Sequence, residues 1–174
     1  MINRFVPDIY QKSIYDIDYK KLKKHGIKCL IFDLDNTITP VNIKNPPKKV
    51  KDLMEDLKNM KFKLIIVSNA TKKRVEPFKD ILCIDSSYLS LKPLKRKYQK
   101  ILKVYKFKES EIACIGDQLL TDIWGANKMG FLSILVNPIG KIDFALTKLN
   151  RALENTIYNS LDAKELLKKG KYYE

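Results

Sequence analysis

Short apolar runs recur along this chain. Each closes in polar turn residues and is followed by a stretch with helical spacing. Cys29-Leu30-Ile31-Phe32 leads into Asp33-Leu34-Asp35-Asn36-Thr37, and the strand predicted there spans residues 27–33. Residues 62–67 predict a second strand that runs directly into Ser68-Asn69. Residues 81–84, 111–115 and 131–136 predict three more. Runs this short and this apolar suit strands buried on both faces of a parallel sheet. Between the first two, Val50, Leu53, Met54 and Leu57 fall at i, i+3, i+4, i+7, the stripe of an amphipathic helix. Asn45 is its predicted cap, with Pro46 and Pro47 in the first turn. Tyr98, Ile101, Leu102 and Tyr105 mark another helix, with Pro93 in its first turn. Thr71 and then Thr121 or Asp122 open two more, the latter closed by Gly130. Strands that alternate with helices predict an α/β fold: a three-layer sandwich around a five-stranded parallel sheet.

The two ends are less regular. Residues 1–26 read as an arm packed on the domain, because Phe5, Val6, Ile9, Tyr10, Ile14 and Ile17 are too apolar for a free tail. Residues from about 143 to 174 read as C-terminal helices. Leu146, Leu149, Leu153 and Ile157 share one face of the first, and residues 162–169 form a short basic second helix. With 174 residues and no linker or repeat, one domain is expected over residues 1–174.

Charge changes the picture only in part. The net charge is +14, which admits nucleic acid, an anionic membrane or an anionic substrate as partner. Lysines lie along the whole chain, so much of the charge reads as compositional background. No aromatic-and-basic strip marks a nucleic-acid binder, which makes that partner the weakest of the three. Cys29, Cys83 and Cys114 form no CxxC or Cys/His pair and read as core thiols in a reducing cytoplasm. His25, before Gly26, reads as a helix C-terminal feature. No run is long enough to span a bilayer, and no signal-peptide core is visible at the N-terminus. The expected place is the cytoplasm, with peripheral contact on an anionic membrane left open. Lasting contact there needs apolar insertion, from the N-terminal arm or the 146/149/153/157 face.

The chemistry gathers after four predicted strands. Asp33 and Asp35, then Ser68-Asn69, then Lys92, then Asp117 and Asp122 all fall where parallel strands end, the edge at which α/β sheets bind ligands. Clustered aspartates repel one another and need a cation, and Mg²⁺ prefers carboxylate oxygens. A carboxylate can attack phosphorus, a lysine can offset the charge on the transferring oxygens, and a hydroxyl with a backbone N–H can hold them.

The ordered set Asp33-Leu34-Asp35-Asn36-Thr37, Ser68-Asn69, Lys92-Pro93 and Gly116-Asp117-x4-Asp122 resembles the four motifs of haloacid dehalogenase (HAD) superfamily phosphatases. With Pro7-Asp8 and Gly116-Asp117-Gln118-Leu119-Leu120-Thr121-Asp122, it is similar to the subclass IIIA family that includes phosphatidylglycerophosphate phosphatases. The resemblance implies a HAD-like Rossmannoid fold and a Mg²⁺-dependent phosphomonoesterase that forms an aspartyl-phosphate. It implies Asp33 as nucleophile and Asp35 as general acid and base. Thr37, Ser68, Asn69 and Lys92 would contact phosphate. Asp33, the main-chain carbonyl of Asp35, and Asp117 would hold the metal, with Asp122 behind them.

Only a loop and one helix separate the first motif from Ser68, and one helix and a short strand separate Asn69 from Lys92, so no separate cap domain fits. An open site suits a large substrate or a lipid headgroup. Lys72, Lys73, Arg74, Lys95 and Arg96 are candidates for a basic rim that takes a second anionic group. Phosphatidylglycerophosphate fits that description. A soluble ester, such as a nucleotide or sugar phosphate, is the alternative substrate, and a basic nucleic-acid-binding module without catalysis is the alternative of another class.

Overall fold

A computed structural model describes residues 2–140 and 145–174, with side chains described outside 145–151. Six strands among these residues form one sheet: β1 (Ile9–Gln11), β2 (Cys29–Phe32), β3 (Lys63–Val67), β4 (Asp85–Ser87), β5 (Ile112–Gly116) and β6 (Leu132–Val136). The order across the sheet is β1-β6-β5-β2-β3-β4, and every pair is parallel. The chain winds outward from β2 through β3 to β4, then crosses back to β5 and continues to β6. That reversal makes the carboxyl end of β2 a topological switch point, where such sheets open a crevice.

Side-chain alternation along β2 builds the layers. Leu30 and Phe32 pack against α1 (Tyr19–Lys24), α2 (Lys48–Asn59) and α3 (Lys72–Leu82), through Leu22, Met54 and Phe78 among others. Cys29 and Ile31 face α4 (Arg96–Tyr105) and α5 (Trp124–Met129), through Tyr98, Ile101 and Ala126. All four β2 side chains are buried, so the strand reads as an unbroken apolar run. A third cluster joins Phe5, Tyr10, Leu135, Leu161 and Leu167, and so ties the first residues and α6 (Ala145–Asp162) to the outer side of β6.

The sheet has six strands where five were expected. The sixth is β1, inside the arm, which pairs along β6 from Ile9↔Ile134 to Gln11↔Val136. Three residues are too few to show a period, and Pro7 lies just before them. The arm's apolar side chains enter the core: Phe5, Tyr10, Ile14 and Ile17 are buried.

The strand expected at 81–84 is also corrected. Ile81 and Leu82 complete α3, and Cys83 ends it in the left-handed region (φ 49°). The strand that follows is the polar Asp85-Ser86-Ser87, which among the described residues pairs only with β3. An edge strand is covered on one side alone and carries no apolar signal. Cys83 is accordingly exposed rather than a core thiol, while Cys29 and Cys114 are buried.

Other boundaries move by a turn. Pro47, not Asn45, occupies the cap position of α2, and α4 begins at Arg96, beyond Pro93. A π-helical turn, Leu119–Ile123, precedes α5, which Gly130 closes at φ 73°. His25 does cap α1, its Nδ1 lying 2.8 Å from the Lys21 carbonyl oxygen. Past Asp162 the chain turns instead of forming the expected basic helix. Among the described side chains of α6 the buried ones are Glu154 and Leu161, whereas Leu153 is 54% exposed. The side chains of Leu146 and Leu149 lie outside the described residues. No helix among the described residues is long and apolar enough to cross a membrane.

Candidate active site

Four strand ends meet at the switch point. Asp33 directly follows β2, and its N–H donates to the Ile115 carbonyl of β5 (2.9 Å). Its side chain is buried. Lys92, on the loop after β4, donates from Nζ to Asp33 Oδ1 and to Asp122 Oδ1, each at 2.6 Å. The lysine side chain is only 3% exposed, so this is a cation enclosed between two carboxylates.

Asn69 sets the lysine's position. Its Oδ1 accepts from the Lys92 N–H (2.7 Å) and its Nδ2 donates to the Lys92 carbonyl (3.3 Å). Its side chain thus grips the backbone of the loop that carries the lysine, a role separate from the phosphate contact expected of its backbone N–H. Ser68 is buried, and its Oγ accepts from the Ala70 N–H (3.1 Å).

Thr37 Oγ1 donates to Asp117 Oδ1 (3.0 Å), which links the first-motif loop to the end of β5. Asp122 is held at both oxygens, by Lys92 and by the Gln118 N–H (3.1 Å). Asp117 and Asp122 are both about 1% exposed.

Gly116 permits this arrangement. A Cβ built on it would lie 2.3 Å from Asp122 Cγ and 2.4 Å from Asp122 Cβ. Asp122 is too tightly bonded to move aside. Gly116→Ala is therefore expected to cost about 1–3 kcal/mol of stability and, by displacing Asp122 and Lys92, at least about tenfold in turnover. Urea denaturation and a phosphate-release assay check this; a variant with wild-type values in both would reject the close-approach argument.

Asp35 is half-buried and turns to Arg74 of α3. Arg74 Nε donates to Asp35 Oδ1 at 2.9 Å, and Nη2 reaches the same oxygen at 2.8 Å. Nη1 donates to the Ile43 carbonyl at 2.5 Å, and the guanidinium lies 4.8 Å over the Phe78 ring. Arg74, expected on the rim, thus points inward and fastens the loop after β2 to α3. The rest of the expected rim is exposed: Lys72 pairs with Glu76 (3.4 Å), and Lys73, Lys95 and Arg96 form no ion pair among the described residues.

Burial pushes the Asp35 carboxyl above its ordinary pKa, and Arg74 pulls it partly back. Burial also raises Asp122, with Lys92 opposing and Asp33 adding to the rise. Burial alone would lower Lys92, but the Asp122 and Asp33 carboxylates outweigh it and hold the ammonium protonated. One buried cation therefore serves two carboxylates, with a third, Asp117, beside them. One oxygen from each of Asp33, Asp117 and Asp122 lies within 4.8 Å of the others. Close hard oxygen donors with surplus negative charge fit Mg²⁺.

Glu154 of α6 carries no motif signal, yet it is buried and accepts from the Leu120 N–H (2.9 Å), supporting the loop that bears Asp117 and Asp122. Its position three residues before Ile157 and seven before Leu161, on the apolar face, is the only sequence sign of that role.

The chain matches the family described as mitochondrial PGP phosphatase over residues 2–140. It is 35% identical over 160 residues to the "Probable phosphatase YqeG" of Bacillus subtilis (strain 168), covering 92% of this chain and 93% of that one. A phosphatidylglycerophosphate phosphatase of Arabidopsis thaliana is 24% identical over 147 residues, which is 79% of this chain and 42% of the plant protein. Among solved structures, a predicted HAD-like family hydrolase from Porphyromonas gingivalis has the same fold, with a TM-score of 0.56 at 13% identity over 72% of this chain and 98% of that one. A HAD family enzyme from Bacteroides thetaiotaomicron, in complex with magnesium and inorganic phosphate, superposes with a TM-score of 0.52 at 14% identity over 70% of this chain and 99% of that one. A family match over four-fifths of the chain and a bacterial relative aligned almost end to end place the chain in the PGP phosphatase family.

Proposed function

We propose that this phosphatase is a Mg²⁺-dependent phosphomonoesterase that works through an aspartyl-phosphate on Asp33, with phosphatidylglycerophosphate as its substrate. The observation that carries the reading is the buried Asp33–Lys92–Asp122 arrangement, with Asp117 beside it, at the open edge of the sheet.

The Asp33 carboxylate forms a bond to phosphorus as the bond to the alcohol oxygen breaks, and Asp35 gives that oxygen a proton. Asp35, now ionised, then takes a proton from water. The water oxygen bonds phosphorus, the acyl-phosphate bond breaks, and Asp33 is restored. Burial favours the protonated form of Asp35, while Arg74 favours the ionised one. Lys92 holds Asp33 in place and offsets charge on the transferring oxygens. Asp33, Asp117 and the Asp35 main-chain carbonyl would hold Mg²⁺, with Asp122 close by. Mg²⁺ supplies charge neutralisation for the transferring phosphoryl group.

Support for the lipid comes from the family's description and the plant relative's name. It also comes from the short connections around the site, which leave it open to a large substrate. Lys73, Lys95 and Arg96 offer a rim for the second phosphate. The test is phosphate release from phosphatidylglycerophosphate in micelles beside a sugar phosphate and a nucleotide. Turnover on the lipid is expected to exceed the soluble esters by at least about a hundredfold, since remote contacts position the reacting group, and to vanish in excess EDTA. Equal turnover on all three would reject the substrate, and full turnover in EDTA would reject the metal.

A further inference from the structure

The segment between β4 and α4 inverts the usual order of a protein surface. Tyr88, Leu89, Leu91 and Leu94 are 39%, 51%, 65% and 54% exposed, while the polar Ser90 and Lys92 between them are buried. Leu89 and Leu91 hold φ of 44° and 54°, a region that bulky side chains avoid. Asparagine or glycine would fit that backbone better, so folding alone does not call for leucine at either position.

The segment is also fixed. The Leu89 N–H donates to Ala70 O (2.9 Å), Ser90 N–H to Ser68 O (3.0 Å), and Asn69 clamps Lys92. The leucines therefore stand on a rigid platform at the mouth of the site, beside Ser68 and Lys92. Charge along the segment and the helix after it has one sign. Between Asp85 and Glu109 the sequence holds Lys92, Lys95, Arg96, Lys97, Lys100, Lys103, Lys106 and Lys108, and no acidic residue. Lys95, Arg96 and Lys73 are exposed.

We propose that this loop seats the protein on an anionic lipid bilayer, with Leu89, Leu91 and Leu94 entering the acyl boundary while Lys73, Lys95 and Arg96 meet anionic headgroups. An exposed apolar tip flanked by exposed basic residues complements a surface that is negative at the headgroups and apolar beneath. The docking goes beyond the substrate assignment and is read without catalysis.

Co-sedimentation of the full chain with vesicles tests it, using phosphatidylcholine alone and phosphatidylcholine mixed with phosphatidylglycerol. Wild type is expected on the anionic vesicles, and raised salt should weaken the binding. The double variant Leu89→Asn, Leu91→Asn should bind roughly tenfold or more weakly. Its melting temperature should be equal or higher, because asparagine tolerates the left-handed region. Its turnover of a soluble aryl phosphate should be unchanged. Leu94→Gln, outside the left-handed positions, should weaken binding in the same direction.

The proposal fails if wild type ignores anionic vesicles or if the variants bind as well as wild type. It also fails if the variants melt lower, which would give the leucines to the fold. Wild type that dimerises where the variants stay monomeric would assign the patch to a second copy. Vesicle binding without release of phosphate from the lipid ester would leave the docking intact and remove the substrate.

Discussion

Asp33→Asn is expected to abolish phosphate release, by at least about 10³-fold, because an amide cannot attack phosphorus. The substitution is nearly isosteric, and Lys92 keeps its bond to Asp122. It also removes one of two carboxylates that share a single buried ammonium. The melting temperature should therefore hold or rise while activity disappears. That pairing separates a lost nucleophile from a damaged fold. A phosphate-release assay and a thermal melt on the same preparation decide it, and wild-type turnover in the variant would remove Asp33 from the chemistry.

Lys92→Met should fail in the opposite way. It leaves Asp33 and Asp122 enclosed with no partner cation, a loss of about 3–5 kcal/mol, and lowers turnover by at least about a hundredfold. The pH dependence has a definite sign. Burial raises Asp122 and the ammonium opposes that rise, so without Lys92 this carboxyl titrates higher still in the native state than in the unfolded chain. The native state then binds more protons, so stability falls as pH rises through the carboxyl range and is partly restored in acid. Urea denaturation at about pH 5 and about pH 8 reads this directly. Adding Asp122→Asn should recover part of the loss, because the two residues are coupled through one contact. A Lys92→Met protein equally stable at both pH values would show that the ammonium does not carry the site's electrostatics.

What the sequence made legible follows how much each element buries. Cys29–Phe32 is covered on both faces, so it stands out as an apolar run, and the motif at its end is placed with it. The same holds for β3, β5 and β6, whose ends carry Ser68 and Asp117 or enclose the outer core. Elements at the sheet margins were not legible. β1 is three residues, too few to show a period, and β4 is polar, an edge strand with no side chain fully buried. Side-chain direction was out of reach too. Lys73 and Arg74 are adjacent basic residues, yet one faces water and the other reaches Asp35, because the turn of α3 aims Arg74 at the loop after β2. Glu154 was hidden by distance, since its partner Leu120 lies 34 residues away.

The β1 edge has a bearing on how the chain finds its shape. Ile9 pairs with Ile134 across most of the chain, whereas β3 and β4 are joined by α3 alone. Closing a loop that long adds little to the equilibrium cost, about 0.6 kcal/mol for each doubling of length. Its weight falls on the speed of assembly, since distant pairings form late. Tyr10 and Tyr173 exchange two backbone hydrogen bonds at 2.9 Å, so β1 receives its second neighbour from still further along the chain. Until both arrive, β6 presents an open row of amides and carbonyls to any other chain nearby, and the first dozen residues act as its shield.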